Sequence, residues 1–298
     1  EVVVTEVRDA IILAGGMGTR MLPASLYAPK EALPLVDTPI INHLIWEAAK
    51  AGVERVHLVL SERKRDFLEQ FLDNGSIHSD EVRVDLPREA LALGIEEVQI
   101  VPHVQTTAGG VADAISVAID QIDGPFLVIL GDMVIIDRHV NPKQSGVECA
   151  SEASLKLVKM FESSGKPCVG IFPVASEHVC KYGVVGLSED RVVDIVEKPD
   201  VSRAPSNYVL CGRYVLPSNT AEILDNYPIS QFGELQSIHL LNHLIERGGL
   251  MSVKLDGMKM YDSGEPIEWL KSQIDHALRR DDVGGELELW IKQRMRER

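Results

Sequence analysis

The chain has 298 residues with 30 basic and 45 acidic side chains, a formal net charge of −15, and is 45% hydrophobic and 25% charged. That is the balance of an ordinary water-soluble globular protein, long enough for two modest domains or one large α/β unit. No apolar run approaches the roughly 18 residues that cross a bilayer and no start resembles a signal peptide, so no membrane contact and a cytoplasmic location are expected. The acidic balance argues against nucleic-acid binding, since phosphate backbones are repelled, but leaves room for a small basic pocket holding a small anion.

Through the first half, short β-type runs alternate with helical ones, the pattern of a parallel sheet covered by helices. Asp9–Ala14, Arg55–Leu60, Glu97–Val101 and Pro125–Leu130 predict buried strands. Pro39 to Gly52 predicts a helix with Pro in its first turn, Gly at its stop, and Ile41, Leu44, Ile45 and Ala48 on one face. Ser61 to Leu72 predicts a second helix with a Ser cap and with Phe67, Leu68, Phe71 and Leu72 inward; Gly109 to Gln121 predicts a third. Beyond a polar stretch at 138–146 and a helix at 151–165, the β-type runs 168–174, 182–187, 191–198 and 208–216 bunch together, which suggests a smaller α+β portion built onto the sheet. Helices at 233–248 and 265–280 flank a strand-like run at 251–264, and the amphipathic end, 286–298, is expected to be a packing or subunit-contact helix.

Three features are set aside. Cys149, Cys168, Cys180 and Cys211 contain no CxxC spacing and are expected to be reduced, packed thiols. His239 and His243 stand four apart, but Leu240 occupies the place of the Glu in a zinc-binding HExxH, so they are expected to be satisfied or exposed rather than ligands. Asp137 is assigned to the surface.

The segment from Leu13 to Pro34 carries the most chemistry. Its glycines follow a predicted strand, let backbone approach a ligand and turn N–H groups toward an anion. A Walker loop is excluded because no GxxxxGK followed by Ser or Thr occurs; a Rossmann fingerprint is excluded because Met21 stands where its third Gly belongs. What remains is a Gly-rich turn with two fixed cations, Arg20 and Lys30, suited to phosphate oxygens. Asp132 ends a buried strand, the crevice position for ligands in an open α/β sheet. With Asp262 as a second carboxylate it suits Mg²⁺, which takes one or two carboxylates and fills its other sites with phosphate and water. Gln105 carries both donor and acceptor, enough for one amide to read a pyrimidine edge. Gly109 and Gly110 open a helix where a missing side chain admits a base or ribose. Glu197 and Lys198 close an alternating strand and are expected to point to different sides.

GGMGTRMLPASLYAPKEALPLVDTPII resembles the signature loop of the sugar-1-phosphate nucleotidyltransferase family, in particular its bacterial UTP–glucose-1-phosphate uridylyltransferase branch. QTTAGGVADAI fits the family's Gln-x4-Gly-x-small-x-Ala spacing, and LGD, YGVV, VEKP, APSN followed by GRYVL, and YDSG follow in the family's order, spanning about residues 9 to 275. The resemblance implies an α/β fold with a Rossmann-like mixed, mainly parallel sheet flanked by helices and a smaller α+β sugar-binding portion. It implies a nucleotide-binding half over 1–137, a sugar-phosphate-binding half over 138–280 and a helical tail over 281–298. It further implies that UTP and glucose 1-phosphate give UDP-glucose and pyrophosphate, with Mg²⁺ as cofactor, in a homo-oligomer (dimer or tetramer).

By the same resemblance Arg20, Lys30 and Lys198 are catalytic, and Leu13, Ala14, Gly15, Gly16, Gly18, Glu31, Gln105 and Gly110 hold the nucleotide. Gly183, Glu197, Lys198 and Gly212 hold the sugar phosphate, and Asp132 and Asp262 the metal. A phosphate monoester has its second pKa near about 6, so the attacking oxygen is already anionic at neutral pH and needs no general base; positioning and charge neutralisation carry an in-line attack on the α-phosphorus. Two positions depart from the branch. Asp113 replaces a His within the Gln segment, closer to the thymidylyltransferase relatives, and His239 replaces an Asp in the helix that usually reads EIQLTDAI. PKE and PSN…GRYVL favour the uridylyl branch. The same chemistry with dTTP or another sugar 1-phosphate, or a non-catalytic homologue that binds a sugar nucleotide, are the alternatives.

Overall fold

The computed structural model describes residues 6–73, 98–233 and 236–297. Nine strands form one continuous sheet: β1 (Asp9–Ala14), β4 (Arg55–Ser61), β5 (Gln99–Gln105), β6 (Phe126–Leu130), β8 (Cys168–Pro173), β9 (Gly183–Ser188), β10 (Arg191–Glu197), β11 (Tyr208–Leu216) and β12 (Leu250–Lys254). Their order is β5-β4-β1-β6-β11-β8-β12-β10-β9. β1, β4, β5 and β6 pair in parallel; β11 runs against β6 and β8, β12 lies parallel to β8, and β10 runs against both β12 and β9. Only β10 and β11 therefore oppose the other seven strands, and the bunched strands of the second half extend the first sheet. Two short ladders stand apart: β2 (Pro34–Leu35) with β3 (Thr38–Pro39), and β7 (Met133–Ile136) with β13 (Lys259–Asp262).

The helices are α1 (Ile40–Lys50), α2 (Arg65–Asp73), α3 (Gly110–Ile119), α4 (Ala153–Ser164), α5 (Thr220–Asp225), α6 (Ile229–Phe232), α7 (Gln236–Arg247), α8 (Pro266–Leu278) and α9 (Gly284–Arg296). Alternation along the strands loads both faces. Ala10, Ile12 and Ala14 of β1 pack in one core with Ile41, Leu44 and Ile45 of α1 and Leu157 and Phe161 of α4. Ile11 and Leu13 pack in the other with Ile115 of α3 and Leu240 and Leu244 of α7. Period-2 strands between period-3.6 stripes make a three-layer sandwich, so apolar burial, at roughly 25 cal/mol per Å², acts on both sides of the same strands.

The elements differ from expectation in local ways. The third strand runs to Gln105 rather than stopping at Val101; Glu97 lies outside the described residues, as do Glu234 and Leu235 of an expected helix and the side chain of Phe71. Ser61 makes no capping bond, because a short helical turn at Glu62–Lys64 precedes α2, and Leu72 faces solvent. Asp137 is not a surface residue: it is half-buried, and its Oδ2 accepts from the Glu152 N–H (3.0 Å) ahead of α4. All four cysteines are free, but Cys180 is exposed rather than packed. Tyr227 stacks on His239 (5.6 Å between ring centroids) and its hydroxyl bonds His243 Nδ1 (3.2 Å), so both imidazoles have aromatic company and no metal-like geometry. No helix among the described residues is long and apolar enough to cross a membrane.

Candidate active site

Strand order reverses around β1: β4 lies to one side and β6 to the other. Such a switch point opens a crevice at the carboxyl ends of the strands. Three contiguous hollows occupy it. One of about 400 Å³ is lined by Leu13, Gly15, Gly16, Glu31, Gln105 and Gly110. A central one of about 570 Å³ is lined by Gly18, Arg20, Lys30, Asp132, Lys198 and Gly264. A third of about 240 Å³ is lined by Lys181, Tyr182, Gly183, Glu197, Gly212 and Tyr214. Lys30 and Asp132 also line the first hollow, and Glu197 lines both the second and the third, so the crevice is continuous.

The loop after β1 winds through short helical turns at Thr19–Met21, Ala24–Leu26 and Lys30–Ala32 before α1 begins. The last turn carries Lys30 inward, where Nζ meets Asp132 Oδ2 at 2.6 Å. Asp132 follows β6 because the Gly131 N–H bonds the Leu13 carbonyl (2.9 Å), closing the ends of β6 and β1 together. Burial works against ionisation of Asp132, but the charge and hydrogen bond of Lys30, with help from Arg20, hold its carboxyl below the usual range. Asp262 arrives on β13, in register with Met133, and the Ser263 N–H bonds the Asp132 carbonyl (3.0 Å). A Cβ placed on Gly264 would stand 2.9 Å from Asp262 Oδ1 and 3.7 Å from Asp132 Oδ2, so the two carboxylates face one small space. Burial, and then the charge of Asp132, push the Asp262 carboxyl up. Two oxygen-donor side chains in mutual repulsion, one of them disfavoured in its charged form, are a donor set that a hard divalent cation fits. Arg20 reaches the rim and pairs with Glu265 (2.7 Å).

In the first hollow Gln105, at the end of β5, is buried. Glu31, which lines the same hollow, is also buried; its Oε2 accepts from Lys64 Nζ (2.7 Å), while Oε1 has no hydrogen-bond partner among the described residues. Burial pushes the Glu31 carboxyl up and the Lys64 ammonium down, each toward neutrality. Lys64 also donates to the Ala14 carbonyl (2.5 Å), bracing the Gly-rich turn from behind. Sequence reasoning passed over Lys64 because it sat inside an apparent amphipathic helix; its place just beyond the carboxyl end of β4 was the available signal. Gly110 begins α3 with a φ of 87°.

In the third hollow, Gly183 pairs with Glu197 across the β9–β10 ladder. Glu197 and Lys198 do not point apart as alternation suggested: Lys198 Nζ lies 3.6 Å from Glu197 Oε1. The strand ends at Glu197, and Lys198 takes a left-handed φ of 45°, which swings its side chain back to the same side. A non-glycine residue in that region is strained, and such strain persists where the surroundings hold it; here the Lys198 N–H bonds the Tyr182 carbonyl (3.0 Å).

A sheet crevice with a Gly-rich turn, two lysines, an arginine and facing carboxylates is the layout of an enzyme that brings two phosphate-bearing substrates together. The chain belongs to the nucleotidyl transferase family, whose model matches residues 9–275. It is 31% identical over 300 residues to UTP–glucose-1-phosphate uridylyltransferase 1 of Staphylococcus saprophyticus, covering 96% of this chain and 98% of that one. To UTP–glucose-1-phosphate uridylyltransferase of Escherichia coli it is 30% identical over 308 residues (98% and 97%). Among solved structures it resembles UDP-glucose pyrophosphorylase from Acinetobacter baumannii, with a TM-score of 0.80 and 26% identity over 96% of this chain and 99% of that one. The UTP-bound enzyme of the same organism gives a TM-score of 0.79 at 26% identity, over 96% and 98%.

Proposed function

We propose that this chain transfers a uridylyl group from UTP to glucose 1-phosphate, giving UDP-glucose and pyrophosphate. The observation that carries the reading is that Arg20, Lys30, Asp132 and Lys198 line one hollow, with Asp262 facing the same space across Gly264. The named relatives supply the substrates. The nucleotide belongs in the hollow of Gln105 and Glu31, with the Leu13–Gly18 backbone against its ribose and phosphates, so residues 1–137 act as the nucleotide half. The sugar belongs in the hollow of Gly183, Glu197 and Gly212, so residues 138–280 act as the sugar-phosphate half, and 281–298 form the tail.

The sugar phosphate is its own nucleophile, and the obstacle is the repulsion of two anions. Lys198 holds the sugar phosphate, the left-handed turn fixing its ammonium over the cleft. Lys30 neutralises charge at the transferring phosphate, exchanging its bond to Asp132 for phosphate oxygens, and Arg20 on the rim takes the departing pyrophosphate. Mg²⁺ would be held by Asp132 and Asp262, where it would supply charge neutralisation between the substrates when bound. A homo-oligomer is part of this reading and is supported by α8, which leaves Ile267, Leu270, Ile274 and Leu278 exposed on one side; so is a cytoplasmic location.

Pyrophosphate release across UTP, dTTP, CTP and ATP, each with several sugar 1-phosphates and with and without Mg²⁺, tests the proposal. UTP with glucose 1-phosphate should be the fastest pair and should fail once the metal is chelated. Turnover of another pair alone, or of none, overturns it.

A further inference from the structure

We propose that Asp113 fixes the orientation of the Gln105 amide and thereby makes the base pocket accept uracil and refuse cytosine. The inference rests on the base lying against Gln105, as in the function proposed above. Gln105 Nε2 donates to Asp113 Oδ2 at 2.6 Å. The same oxygen accepts from the Gly109 N–H (3.3 Å) and from Thr107 Oγ1 (3.4 Å). A carboxylate accepts and never donates, so the amide must turn its nitrogen toward Asp113 and its oxygen the other way. Two glycines leave the pair no slack. A Cβ on Gly15 would stand 2.5 Å from Gln105 Oε1, and one on Gly109 would stand 2.6 Å from Asp113 Cγ. The amide is thus pressed against the Gly-rich turn at one end and anchored to the first turn of α3 at the other.

The oxygen lies at Gly15, which lines the same hollow as Gln105, so a base seated there against Gln105 meets an acceptor, and an edge that carries an N–H matches it. Uracil and thymine offer the N3–H there; cytosine offers the bare N3 lone pair, which meets the amide oxygen in repulsion. A free glutamine would turn over and offer cytosine its N–H instead. Asp113 forbids the turn, and a site that leaves buried polar groups unpaired rejects a ligand strongly. Asp113 is a positioning residue: it acts on the base through Gln105.

The test compares the wild-type protein with D113N, whose side-chain amide donates or accepts equally well and so releases the turn. Dissociation constants for UTP, CTP and dTTP are measured by calorimetry, alongside turnover with glucose 1-phosphate. The wild type should prefer UTP to CTP, and D113N should lose at least tenfold of that preference. The UTP to dTTP ratio should hold, because those bases share the read edge, and so should the KM for glucose 1-phosphate. A merely structural role for Asp113 would weaken all three nucleotides together. An unchanged UTP to CTP ratio in D113N, or a wild type without the preference, overturns the inference. Wild-type binding without turnover would instead overturn the transferase function while leaving the binding ratios to judge Asp113. A thermal melt reports whether D113N folds; if it does not, D113S, which also donates or accepts, is measured in its place.

Discussion

Two ion pairs of nearly equal length lie in this molecule, and their surroundings set them to opposite uses. Lys30 and Asp132 meet at 2.6 Å with side chains 10% and 28% exposed, while Arg213 and Glu47 meet at 2.8 Å with side chains 0% and 1% exposed. Arg213 of β11 binds Glu47 of α1 through two nitrogens and two oxygens, and Ser154 of α4 donates to the same carboxylate. Arg213 Nη2 also donates to the Met133 carbonyl (2.9 Å) and Nη1 to the Gly212 carbonyl (3.2 Å), so each of its nitrogens has a protein partner. Every arm ends on protein, so the pair holds β7 and β11 in place behind the crevice. Lys30 and Asp132 have one open side, where in the proposed reaction a phosphate replaces Asp132 at Lys30 or a cation replaces Lys30 at Asp132. A charge pair sealed by protein positions the fold; a pair left open to a cleft can trade partners with a ligand.

Breaking the sealed pair gives the largest expected effect. Arg213→Met leaves Glu47 buried and unpaired, and should cost about 3–5 kcal/mol of stability in urea unfolding. Asp132→Ala, at the open pair, should do the reverse: turnover falls on the order of 10³-fold, about 4 kcal/mol in the barrier, while the unfolding midpoint stays within the range of a tolerated substitution. If Arg213→Met left stability intact, or Asp132→Ala unfolded the chain, the contrast between the pairs would fail. Lys198→Ala sharpens it further. That ammonium is mostly solvent-exposed, so its loss should raise the KM for glucose 1-phosphate roughly 10- to 100-fold with little change in unfolding, as steady-state kinetics would show.

The same contrast explains how much could be read from the residues in line. Strands and helices of the first half were legible because their periodicities of 2 and 3.6 are local. The crevice residues were legible where a short motif carries them, as with Lys30 after the glycines, Asp132 in LGD and Glu197 and Lys198 in VEKP, and the fold brings them together. Arg213 was visible only as part of GRYVL, since what it does depends on Glu47, 166 residues away in sequence. Lys64 was hidden for the same reason, its partner Glu31 coming from another element, while Asp113 stood out only as a departure from the branch and its bond to Gln105 was not foreseen. The side of Lys198 was misjudged because strand alternation ends one residue before it, at a left-handed turn that no residue type announces.

A third buried polar group, made of imidazoles, extends the comparison to pH. His139 and His276 meet through their Nδ1 atoms (3.0 Å), and His43 packs edge-on against His276 (6.3 Å between centroids). Burial takes the His43 pKa down to about 4, and burial with the neighbouring imidazoles takes His276 down to about 3. The unfolded chain protonates the same rings near about 6.5, so below that pH it binds protons that the fold refuses, and stability must fall as pH falls. Between about pH 6.5 and 4 each such ring should contribute a slope of roughly 1.4 kcal/mol per pH unit, full stability being present above pH 6.5. His57 and His103, also lowered by burial, act in the same direction. Urea unfolding at steps from pH 7.5 to 4.5 should show this loss, and His276→Asn, which cannot take the proton, should flatten the slope. Equal slopes in both proteins would mean that the acid sensitivity lies with groups other than His276.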